Sequence, residues 1–148
     1  MLLGATVACI ASGVTATSTS SAHPRGIPEV PAPWLDDIAL AAFTSSGPVI
    51  FINPTRCREV GPNVCSFFRE HEQAHIRLGH GGPYYTSMAS GRALAEAEAD
   101  CWAARNALLG QVKATISFFE TPPRATTDVG DHGTGLVRAK RLRSCRGI

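Results

Sequence analysis

Val64, Phe67, Phe68, His71, Ala74, His75 and Leu78 recur at helical intervals, so this stretch is predicted to be a helix whose buried stripe carries two imidazoles. Asn63 is placed to cap it, and Gly79, Gly81, Gly82 and Pro83 end it. The two rings belong to the run His71-Glu72-Gln73-Ala74-His75. Four residues apart on a helix, they stand one above the other and can grip one cation, with zinc the expected metal. Glu72 lies about 100° further round the helix. That offset brings its carboxylate near the ion as a general base for water without making it a ligand.

A zinc ion that does chemistry takes three protein ligands and keeps one position open. The Ala-rich segment from Ser87 to Leu109, bounded by Pro83 and Gly110, is predicted to be a second helix and carries Glu96, Glu98 and Asp100. Residues two apart point to nearly opposite sides of a helix, so Glu96 and Glu98 cannot both face the metal, whereas Glu96 and Asp100 share a stripe. Glu96 is therefore expected as the third ligand ahead of Glu98. Asp100, one turn on, would accept the free ring N–H of a ligand histidine. The plainer role for Glu96 is a surface pair with Arg92, four residues earlier. His80 reads as a residue at a helix end, favourable there when protonated.

With 148 residues and 44% hydrophobic content, the chain has room for one compact domain with a modest core. A net charge of +2 implies no nucleic-acid or anionic-membrane partner for its body. Arg138, Lys140, Arg141, Arg143 and Arg146 read as the solvated face of a last helix. Residues 1–22 contain no charged side chain and close on Ser20-Ser21-Ala22. They resemble a secretory signal peptide cut after Ala22, which places the protein in the periplasm or outside the cell, with no stable membrane insertion after cleavage. Cleavage removes Cys9 and leaves four cysteines, an even set that reads as two disulfides in an exported chain. Of the three pairings, Cys57 with Cys65 and Cys101 with Cys145 are favoured. Residues 23–46 are expected to form a proline-rich surface arm followed by a short helix, Trp34 to Phe43. Residues 47–148 form the body, in which Gly47 to Pro54 is the clearest strand and Val49 to Ile52 a candidate cleft edge for an extended peptide.

His71-Glu72-Gln73-Ala74-His75 followed by Glu96-Ala97-Glu98-Ala99-Asp100 resembles the gluzincin metallopeptidases, and more narrowly their HtpX and CAAX-prenyl-protease branch. A late histidine with an arginine six residues on, His132 to Arg138, is similar to a third segment of that branch. Gly133 stands where those relatives carry proline. The resemblance covers roughly Val49 to Leu142. It implies that His71, His75 and Glu96 bind Zn2+, that Glu72 is the general base and that Asp100 supports the ligands. His132 and Arg138 would lie near the site, with His132, Tyr84 and Tyr85 as candidate donors to the tetrahedral intermediate. The implied fold is α+β, a mostly helical zincin-like single domain with a small β-sheet and two active-site helices. The implied activity is hydrolysis of peptide or protein substrates. Two other readings use the same residues differently: a non-catalytic secreted binding domain stapled by zinc, and an interaction module built on the basic last helix.

Overall fold

The computed structural model describes residues 26–148; the signal-peptide reading and Cys9 lie outside the described residues. Strand β3, Gly47–Ile52, is the centre of a three-stranded mixed sheet in the order β1-β3-β2. Its alternation explains the placement, since Ile50 and Ile52 turn into the core while their neighbours face outward. Strand β1, Glu29–Pro31, runs parallel to it, and β2, Ala39–Thr44, runs antiparallel. Together these elements refine one expectation and overturn another. The proline-rich arm is extended and exposed from Pro28 to Pro31, but part of it pairs as a strand, and Ala32 at its end is fully buried, its N–H donating to Ile52 O at 2.7 Å. No helix forms from Trp34 to Phe43, because a two-residue turn at Ser45-Ser46, followed by Gly47 at φ 112°, folds Ala39–Thr44 back onto β3 as a hairpin. Backbone pairing with a neighbouring strand outweighs the helical preference of Ala, Leu and Ala here. A further correction follows from the strand order. β3 is flanked on both sides, so Val49 to Ile52 cannot be a cleft edge, and β2 holds that place.

Asn53 ends the sheet and starts a helix that the sequence reading did not anticipate. Its side-chain oxygen accepts from Thr55 N at 2.9 Å and Arg56 N at 3.1 Å, capping α1, Pro54–Val60. Gly61 at φ 85° separates α1 from α2, Pro62–Arg77, so Asn63 lies inside the first turn of α2 and does not cap it. The Cys57–Cys65 disulfide ties these two helices together. Beyond α2 come α3, Pro83–Ser87, α4, Ala89–Asn106, and α5, Leu109–Glu120, which also had no counterpart in the sequence reading. A 3-10 turn at Gly130–His132 precedes α6, Gly135–Arg146.

Helix α2 lies between the sheet and the pair α4 and α5, and α6 closes the far side against both of those helices. The core runs through that contact, with Ile50, Phe67, Val112 and Leu142 fully buried. Gly135 explains how close α6 can come: a Cβ there would collide with the carbonyls of Phe119 and Arg124. The basic last helix is not a solvated face. Arg138 is buried, Arg143 pairs with Glu120, and Arg146 Nη1 donates to Ala104 O at 3.0 Å and Arg105 O at 2.8 Å near the end of α4. The second disulfide, Cys101–Cys145, staples the same two helices. Among the described residues no helix is long and apolar enough to cross a membrane. Phe67→Ala should cost about 3–5 kcal/mol by urea unfolding. Leu108→Ala, at a side chain 71% exposed, should stay within about 0.5 kcal/mol of wild type.

Candidate metal centre

Helices α2 and α4 pack side by side, and the stripe that carries the histidines meets the stripe that carries Glu96 and Asp100. Small side chains permit the approach, since Ala74, Ala99 and Ala103 are wholly buried along it. His71 Nε2 lies 3.1 Å from His75 Nε2 and 3.0 Å from Glu96 Oε2, and His75 Nε2 lies 3.4 Å from Glu96 Oε1. Ligand atoms of these three residues all fall within 4.8 Å of one another, so the group can hold a metal ion. The donor set fits a cation on two counts. Bonds of about 2.0–2.1 Å in a tetrahedral site set ligand atoms roughly 3.3 Å apart, close to the spacings here. The ring lone pairs and the carboxylate also confront one another, an arrangement that needs a proton or a metal between them.

Behind His71 stands Asp100, which is fully buried. Its Oδ1 lies 3.1 Å from His71 Nδ1, although off the line of the ring N–H, so that nitrogen lacks a well-directed hydrogen bond. Arg138 holds the carboxylate by a fork, Nη2 to Oδ1 at 2.6 Å and Nε to Oδ2 at 3.1 Å, and Arg141 Nη1 adds a third bond at 2.8 Å. The Arg138 guanidinium also lies 4.4 Å from the Phe119 ring centroid. Burial alone would raise the Asp100 pKa, yet Arg138 and then His71 hold it well below the usual carboxylate range. Burial likewise opposes the charge on Glu96, and His132, His71 and His75 outweigh it, leaving that carboxyl far below its ordinary value. For His71 burial pushes the ring down, but Asp100 and Glu96 overcome it and raise the pKa to about 9 in the metal-free protein.

Glu98 is turned away from the metal position. Its Oε2 lies 3.1 Å from His80 Nε2 and accepts from the Tyr85 hydroxyl at 3.3 Å. His80 is buried and its Nδ1 lies 3.0 Å from His75 Nδ1, so it is no mere helix-end residue. Burial, then His75, lower its pKa, which opposes the protonated helix-end role. The ordinary pair between Arg92 and Glu96 does not form either. Arg92 Nε instead donates to Asp131 Oδ2 at 2.7 Å and pins the 3-10 turn against α4. That turn carries His132 to the site, with Nε2 3.0 Å from Glu96 Oε2. The Glu96 carboxylate raises the His132 pKa.

Glu72 is nearly buried and its Oε2 accepts from the Ala41 N–H of β2 at 2.7 Å. It opens onto two clefts. One, of about 460 Å³, runs from His71, Glu72 and His132 over a floor of Phe68, Phe118 and Phe119. The other, of about 280 Å³, lies between β2 and the metal position, bordered by Ala41, Phe43, His75 and Glu96. Tyr84 and Tyr85 line neither of these clefts. Sequence reasoning missed two contributors. Arg141 sits one turn after Arg138 and could have been found by that spacing, whereas His80 acts through a reversal of the chain that no local pattern marks. Comparison with protein-family models, curated proteins and solved structures finds no match for the chain.

The raised His71 pKa sets the sign of a pH dependence. The folded metal-free protein binds this proton more tightly than the unfolded chain does, so the ring's contribution is complete below pH 6.5 and is lost as pH rises through about 9. Urea midpoints of the metal-free protein, disulfides intact, should fall across that window. A saturating divalent metal, which binds the deprotonated ring, should abolish that fall.

Proposed function

We propose that this chain is an exported zinc-dependent peptidase with a zincin-like catalytic arrangement. The observation that carries the reading is the convergence of His71, His75 and Glu96 beside Glu72, at the meeting of two open clefts. Two imidazoles and one carboxylate are a ligand set suited to catalytic zinc, and they come from two helices that leave a side of the site open to solvent. Both disulfides are formed, and an oxidising compartment suits such a protein.

When bound, zinc lowers the pKa of water toward neutrality and polarises a carbonyl. Glu72 takes the proton of the attacking water and returns it to the leaving amine nitrogen. Its hydrogen bond to the Ala41 amide fixes the carboxylate at the junction of the clefts. His132 is partly exposed and places Nε2 3.0 Å from Glu96 Oε2, where an N–H can steady Glu96 or donate to a developing oxyanion. Asp100, gripped by Arg138 and Arg141, orients the His71 ring.

Substrate binding falls to β2. In an antiparallel pair, alternate residues bond to the partner strand. Asn53 N donates to Ile38 O, and Ala41 N points away to Glu72, so Leu40 and Ala42 bond toward β3 while the backbones of Ala39 and Phe43 and the carbonyl of Ala41 face the cleft, the Ala41 N–H being held by Glu72. An extended peptide can add there as a further strand, with one side chain entering the aromatic-floored cavity.

Purified mature protein should contain one zinc per chain. Glu72→Gln should keep that zinc and lose hydrolysis of a peptide library by about 10²-fold or more. His75→Ala should lose the metal itself. A site that only staples the fold would show the opposite pattern, with Glu72→Gln nearly silent and chelation unfolding the protein.

A further inference from the structure

His80 follows the end of α2 by three residues. Gly79, at φ 75°, reverses the chain there, so that His80 N donates to His75 O at 2.9 Å and the His80 ring returns beneath that of His75. Its side chain is 2% exposed and the ring is wedged between two others, with centroids 5.0 Å from His75 and 4.6 Å from Tyr85. Tyr85 is brought in by α3, which lies hard against α4 at Gly91, where a Cβ would collide with the Tyr84 carbonyl. The result is a continuous chain of contacts from His75 Nδ1 to His80 Nδ1 at 3.0 Å, from His80 Nε2 to Glu98 Oε2 at 3.1 Å, and from that oxygen to the Tyr85 hydroxyl at 3.3 Å.

With both rings neutral, only one arrangement of protons satisfies every link. Two Nδ1 atoms at hydrogen-bond distance must share one hydrogen. If it sat on His80, the bare His80 Nε2 would face a carboxylate oxygen, lone pair against lone pair. His75 Nε2 would then carry the proton and could not ligate. If the hydrogen sits on His75, its Nε2 is free for the metal, His80 Nδ1 accepts, His80 Nε2–H donates to Glu98, and the Tyr85 hydroxyl donates to the same carboxylate. We infer that His80 is a positioning residue for the second metal-binding ring: as a neutral acceptor backed by Glu98 and Tyr85, it fixes the His75 tautomer and ring angle. The two histidines of the motif are thus oriented by different chemistry, a carboxylate behind His71 and an imidazole behind His75. This inference rests on the metal-centre reading above and concerns ligand geometry, so its readout does not require a known substrate.

Loss of such an outer partner weakens metal binding by about 10–100-fold. His80→Leu should show a loss of that order in zinc competition against a chromogenic chelator. His80→Asn, whose side-chain oxygen falls near the position of Nδ1, should restore affinity to within roughly threefold of wild type, since the acceptor is retained. Zinc-loaded wild-type protein with ¹⁵N-labelled histidine should show His75 protonated at Nδ1 and ligating through Nε2. That measurement decides the matter even if His80→Leu does not fold. An unprotonated His75 Nδ1, a folded His80→Leu with wild-type affinity, or a folded His80→Asn as weak as His80→Leu would each overturn the inference while leaving the metal centre standing. Wild-type protein that takes up no stoichiometric zinc would overturn the metal centre and the inference together.

Discussion

Asp100 is the charge around which three helices are arranged. A carboxylate removed wholly from water costs several kcal/mol unless opposite charges and hydrogen bonds compensate it, and here α6 supplies two guanidinium groups while α2 supplies a ring nitrogen. Helix α4, which bears the carboxylate, cannot shift without leaving either the acid or Arg138 buried and unmatched. The next residue, Cys101, carries the disulfide to α6, so a covalent staple and an ion cluster act at one level of the bundle. The geometry of His71, and through it the spacing to His75 and Glu96, follows from that lock.

The acids of α4 divide their work by direction. Glu96, Glu98 and Asp100 alternate with alanines, and a step of two residues turns about 200° around the helix. Glu96 therefore looks into the metal position. Glu98 looks past it toward His80, and Asp100, one turn beyond Glu96, reaches behind His71. Alanine between them keeps the surface flat enough for α2 and α6 to approach closely. A helix with this pattern has little amphipathic character, because its polar groups face neighbours and not only solvent.

What the sequence disclosed depended on whether the signal was local. The period from Val64 to Leu78 marked α2, and the pairing of the four cysteines in the body agrees with loop length and with the reach of the last helix. The strand at Gly47–Ile52 stood out because turn residues bracket an apolar run. Ala39 to Phe43 looked helical because residue preference cannot reveal a hairpin partner, and the place of β3 in the middle of the sheet depends on β1, a segment of three residues whose proline masks it. Helix α5 escaped notice although Val112, Thr115, Ile116 and Phe119 fall at helical spacing, since these buried residues are themselves β-branched or aromatic and carry weak helix preference. The arginines of α6 looked solvated because charge runs usually are; only the three-dimensional contact shows that Asp100 and the end of α4 consume three of them.

The grip of α6 on Asp100 also sets an order of assembly. Arg138 and Arg141 reach the carboxylate across 38 and 41 positions, whereas the two imidazoles are neighbours on one helix and Glu96 is 25 positions from His71. Contacts between nearby segments close before distant ones, so the ligands exist in a growing chain well before the carboxylate behind them is neutralised. A nascent chain that ends short of α6 carries every residue of the motif and still lacks the support that aims it. The aim of these side chains thus reports that folding has reached the first turns of the last helix.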